Sequence, residues 1–147
     1  MSHVSHVPVS RLFLSASATA LVAVCLAHLV GWGVGGYLLL SDPVPDANIG
    51  AGLALVLLPP PLAAVLVWPM ALLTRLPRPG VTALIAAPPY LVVSGAVYLL
   101  WTRVEDHTVP GALRAITGSV GALVVAEVLV LTSVLALTTW IVRRRDR

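Results

Sequence analysis

The sequence predicts an all-α integral membrane protein, a bundle of four transmembrane helices, and three observations carry that prediction. Four apolar stretches, about residues 12–36, 49–73, 81–101 and 117–142, each supply the roughly 20 residues a helix needs to cross about 30 Å of hydrocarbon. Hydrophobic residues make up 59% of the chain and charged residues 10%, against about 25% charged in soluble domains. A water-soluble fold of 147 residues could not hide that much apolar surface. Finally, Glu127 is the only charged residue inside an apolar stretch; all others fall in the connections and tails. Those connections are too short for a separate soluble domain, so residues 1–147 read as one transmembrane domain with short tails.

The first stretch begins after Arg11 and stays apolar to Leu40. Its start, Leu12–Ala27, has the composition of a signal-peptide core. The run continues far beyond such a core, which predicts a retained first span. Its far end, Gly31-Trp32-Gly33-Val34-Gly35-Gly36-Tyr37, is glycine-dense. Each glycine weakens a helix by about 1 kcal/mol in water. The expectation is a tilted helix, or one that ends early near Gly31. A face formed by Gly33 and Gly36 would let another helix approach closely. Cys25, the lone cysteine, excludes an intramolecular disulfide and reads as a small packing residue.

Ser41–Asn48 holds Asp42-Pro43 and Pro45-Asp46 and reads as a short turn. The second stretch carries Pro59, Pro60 and Pro61 near its middle. In a continuous helix these would strip the donors from the carbonyls of Leu55, Val56 and Leu57. An unsatisfied carbonyl costs several kcal/mol in hydrocarbon. The helix is therefore expected to stop near Leu58 and restart with the prolines in its first turn. Thr74–Gly80, reading Thr-Arg-Leu-Pro-Arg-Pro-Gly, predicts a tight basic connection.

The third stretch carries Pro88 and Pro89, which would free the carbonyls of Leu84 and Ile85. Both proline sites fall near mid-membrane. Helix breaks at that depth mark substrate or ion sites in transporters, and they also occur as plain kinks. The loop Thr102–Ala115 precedes the fourth stretch, with Pro110 near the expected helix start.

In the fourth stretch a carboxylate at Glu127 would cost about 2.5–3.5 kcal/mol at the membrane centre, so it must be protonated, paired or wet. His28 is the only histidine in a span, and its depth allows a contact with Glu127. Such a pair would relay a proton or hold a ligand, or clamp two helices. Gly118, Gly121, Ala122, Val125, Leu129, Thr132, Ser133 and Ala136 form a stripe of mostly small and hydroxyl residues, and at 100° per residue Glu127 lies opposite it. If that stripe is the close-packed face, Glu127 points away from it.

All nine basic residues are arginine. With abundant Ala, Val, Leu, Gly and Pro, this suggests GC-rich coding and a bacterial source. Arg11, Arg75, Arg78, Arg143, Arg144, Arg145 and Arg147 fall on the side of the termini; Arg103 and Arg114 fall on the other, beside Asp42, Asp46, Glu105 and Asp106. The positive-inside rule then places both termini in the cytoplasm, and the protein in a bacterial cytoplasmic (inner) membrane. Trp68 and Trp140 fit an aromatic belt at the inner face; Tyr37, Tyr98 and Trp101 fit one at the outer face.

No broad basic face suits nucleic acid. Glu105-Asp106-His107, with Asp42 and Asp46, reads as solvated loop rather than a metal site, because adjacent loop residues rarely converge. His3 and His6 lie in a tail. Ser94, Ser119 and Ser133 have no base beside them in sequence, so no catalytic residue, metal or cofactor is assigned. The expected partners are the lipid bilayer and a second copy or another membrane protein. The leading expectation is a non-enzymatic accessory or assembly component acting through helix packing. The alternative is a small proton-linked carrier using Glu127 and the breaks at Pro59–Pro61 and Pro88–Pro89.

Overall fold

Helices satisfy every backbone donor and acceptor within one segment, which is what hydrocarbon demands. The computed structural model describes residues 9–41, 45–106 and 119–145, and they are helical apart from short joints. Five helices lie among the described residues: α1 (Val9–Ser41), α2 (Pro45–Leu57), α3 (Pro59–Leu73), α4 (Pro79–Asp106) and α5 (Val120–Arg145). α2 and α3 together make one span, giving four segments long and apolar enough to cross a membrane.

The spans run up, down, up and down in a ring. α1 packs against α3 and α5, and α4 packs against the same two, so neighbours in sequence are neighbours in space. α2 rests on α1 and makes no comparable contact with α4 or α5. Side chains on the ring's outside are large and apolar, among them Leu84, Val65 and Val92, each more than 70% exposed. A water-facing surface does not look like this; a lipid-facing one does.

The part of the interior that α1 supplies is built mainly from small residues. α1 turns Ala16, Ala20, Ala23, Ala27, Gly31 and Gly35 inward, and all are buried. Their spacing of three and four follows one helix face. Close backbone approach is the main route to packing energy between helices in lipid. At Gly31 an added Cβ would lie 3.1 Å from the Ala54 carbonyl oxygen and 3.1 Å from Cγ of Pro59. At Gly35 it would lie 3.2 Å from the Ala51 carbonyl oxygen. Gly33 and Gly36 have nothing within 4 Å. The close-approach pair is thus Gly31/Gly35, four residues apart, and the expected Gly33/Gly36 face is open. Nor does α1 end near Gly31. It continues to Ser41, about 50 Å in all, because α2 packing on this face offsets the glycines' poor helix propensity.

The second span breaks where expected. Leu58 separates α2 from α3, and Pro59 opens α3. Leu58 keeps helical dihedrals (φ −77°, ψ −39°) and its carbonyl still accepts from Leu62 N–H at 3.3 Å, so the interruption is a kink one residue long. The third span does not break: α4 runs through Pro88 and Pro89. Two joints are shorter than the sequence suggested. Pro45–Asn48 already belong to α2, and Thr102–Asp106 to α4. Pro110 and Gly118 lie outside the described residues.

The joint between α3 and α4 is a Schellman cap. Arg75 takes a left-handed conformation (φ 56°), its N–H reaches Leu72 O at 3.2 Å, and Leu76 N–H reaches Ala71 O at 2.9 Å. Leu76 is buried beneath the turn. Thr74 Oγ1 donates to Met70 O at 2.9 Å and lies 2.6 Å from Thr19 Oγ1, tying the joint to α1. Arg78, with φ 43°, supplies the carbonyl that receives Thr82 N–H at 2.9 Å and so opens α4.

Candidate functional site

The polar centre of the bundle forms where α1, α4 and α5 meet. Close packing of the alanine face of α1 brings His28, one residue past Ala27, to the ring's interior at 3% exposure. α5 presents Leu123, Glu127, Leu131 and Leu135 inward, and Glu127 is 2% exposed. His28 Nε2 and Glu127 Oε2 stand 3.1 Å apart. The two candidates therefore meet. Their bond needs a proton between them, because a bare ring nitrogen and a carboxylate both accept. Either the imidazole N–H donates to the carboxylate or a carboxyl O–H donates to Nε2.

α4 adds two hydroxyls one turn apart. Tyr90 is fully buried and Ser94 nearly so, although most of their neighbours on α4 are exposed. The Tyr90 hydroxyl lies near both Ser94 and Glu127. Yet Tyr90 Oη, Ser94 Oγ and the second ring nitrogen of His28, Nδ1, have no partner in hydrogen-bonding geometry. Three buried polar atoms in this condition, beside a buried acid, are unusual, because such groups normally find partners.

Tyr90 is the member that sequence reasoning missed. The available signal was its depth: tyrosines favour the interfaces, and this one lies mid-span with Ser94 four residues on. The face of α5 also differs from expectation. Of the expected stripe, Gly121, Val125, Leu129 and Ser133 are exposed, Ala122 and Ala136 are half-buried and Thr132 is buried, and the Glu127 face is the packed one. Large aliphatic residues fill the ring's centre here, and α1 already supplies the small ones. Ser133 Oγ donates to Leu129 O at 2.8 Å, within its own helix.

Of the prolines, Pro59 is buried with its ring against Gly31, three residues past His28 on α1. Pro60 is half-buried, and Pro61, Pro88 and Pro89 face outward. Pro88 and Pro89 flank the polar centre only through Tyr90, the next residue. Among the described residues no three of His, Cys, Asp and Glu converge as metal ligands would. His3, His6, Asp42 and His107 lie outside the described residues, as do the side chains of Asp46, Glu105 and Asp106. The Arg144 guanidinium sits 3.7 Å from the Trp140 ring centre, and Tyr98 and Trp101 stack with centroids 6.2 Å apart. Comparison of the chain with protein-family models, with curated proteins and with solved structures finds no match.

Proposed function

We propose that this chain is a non-enzymatic component of a bacterial cytoplasmic membrane, with both termini in the cytoplasm, that works by packing its outer helix faces against a partner. The observation behind this is the outward stripe of α5, Gly121, Val125 and Ser133, which the bundle itself does not use. Gly33 and Gly36 on α1 are open in the same way. Small residues facing lipid let a further helix come close, whether from a second copy or another membrane protein. The arginine distribution supports the orientation. Native mass spectrometry from lipid nanodiscs tests the reading. An oligomer or a retained membrane partner that is lost in Gly121→Leu/Ser133→Leu supports it; a partner-free monomer overturns it.

A second reading, a proton-linked carrier, is favoured by the three unpartnered polar atoms around Glu127. The His28–Glu127 bond already stores one proton, and the neighbouring hydroxyls offer a next stop for it. Glu127→Gln should then abolish a pH-dependent flux in proteoliposomes while leaving the fold intact. Flux that survives the substitution excludes this role.

A further inference from the structure

Below the α3–α4 joint lies an apolar groove of about 390 Å³. Its floor is small (Ala64, Gly80, Ala83, Ala87) and its walls are Trp68 and Leu84. It runs about 10 Å along α4, from Gly80 at the joint to Ala87. A second cleft of about 190 Å³ lies on the adjacent face of α4, between Val81 and Ile85 on one side and Ile141 and Val142 on the other. Arg78 lines this second cleft. It is also two residues from Gly80, at the head of the first. Arg75, exposed on the cap, is the other cation of the joint.

Both arginines occupy left-handed backbone conformations that favour glycine. A side chain on such a backbone crowds the following carbonyl and is disfavoured. Such strain persists where surrounding structure imposes it and often marks a ligand site. The side chains retained at this cost are two cations at the joint from which both apolar clefts run.

We propose that this joint is a binding site for an anionic phospholipid, with its phosphate at Arg75 and Arg78 and its two acyl chains in the clefts on either side of α4. The chemistry is that of basic pockets between transmembrane helices that hold acidic headgroups. Zwitterionic lipid would fill the same grooves without the charge complement. The proposal goes beyond the packing role and does not depend on it.

The test uses Trp68, which is 57% exposed at the groove wall. In a full-length variant with Trp32, Trp101 and Trp140 replaced by Phe, Trp68 reports bromine on nearby acyl chains. Brominated phosphatidylglycerol, diluted into unlabelled phosphatidylcholine bilayers, should quench Trp68 at a mole fraction about five-fold or more below that needed for brominated phosphatidylcholine. Arg75→Gly/Arg78→Gln should remove the preference. The glycine is compatible with the left-handed cap, so this loss is not a loss of fold, and unchanged helical circular dichroism checks that. Gly80→Leu should weaken quenching by both lipids. An added Cβ there meets only Trp68 Nε1, at 3.7 Å, so the side chain fits by filling the groove. Equal quenching by the two lipids, absence of quenching, or a preference that survives the arginine substitutions would each overturn the proposal.

Discussion

The second and third spans both carry consecutive prolines in mid-membrane, and only one of them breaks. Pro59–Pro61 interrupt the helix at Leu58, whereas Pro88 and Pro89 sit inside an unbroken α4. Two physical differences separate them. Three successive missing donors would orphan three carbonyls, and two would orphan two. The surroundings differ as well. Pro59 is buried against the bare backbone of Gly31, where a neighbour receives the ring. Pro88 and Pro89 face outward, and no neighbour gains from a bend there. A proline motif thus sets where a helix can bend, and the adjoining helix decides whether it does.

Gly31→Leu should disturb this comparison most. Its new side chain would meet a backbone carbonyl and a proline ring, neither of which can swing aside. A loss of about 3 kcal/mol is expected in unfolding from bicelles. Gly33→Leu, in open space, should stay within about 0.5 kcal/mol.

Replacing Pro59, Pro60 and Pro61 together by Ala should straighten the second span. α2 has 13 residues, about 20 Å of helix. Removing a bend of about 20° moves its tip by about 7 Å. Spin labels at the exposed Leu53 and Leu99 would record that change as a shifted distance distribution. An unshifted distribution would mean that packing on α1, not proline, holds the bend.

Pro88→Ala/Pro89→Ala is expected to leave the shape of α4 alone and to stabilise the protein by about 1–2 kcal/mol through two regained hydrogen bonds. Thermal unfolding would show it. The smallest effect concerns the joint between the two spans. Arg75→Gly should stabilise by about 1 kcal/mol in the same assay, because the left-handed cap then carries no Cβ penalty.

The spans and the stop at Leu58 were legible in the sequence, which also allowed the contact of His28 with Glu127 without deciding it. Length against bilayer thickness, proline chemistry and depth along a helix are each readable from position alone. Rotation of the helices was not. In water the packed face of a helix is the apolar one, but in lipid both faces of α5 are apolar, and hydrophobic contrast carries no signal. Small residues then look like the obvious seam, yet on α5 Gly121 and Ser133 face outward because α1 fills that role inside the ring. The same gap explains Gly31/Gly35 in place of Gly33/Gly36, and the hidden part played by Tyr90.

Because α2 packs mainly on α1 and not on α4 or α5, the two leaflets of a bilayer meet different objects. One is displaced by a cylinder closed by α1, α3, α4 and α5. Among the described residues the other meets a horseshoe, in which α2 and α4 make no close packing contact. On that side α4 buries only Ser94 among residues 91–100. Tails of that leaflet can slide toward the flank of α4 next to Ser94, and in the opposite leaflet α3 stands in the way.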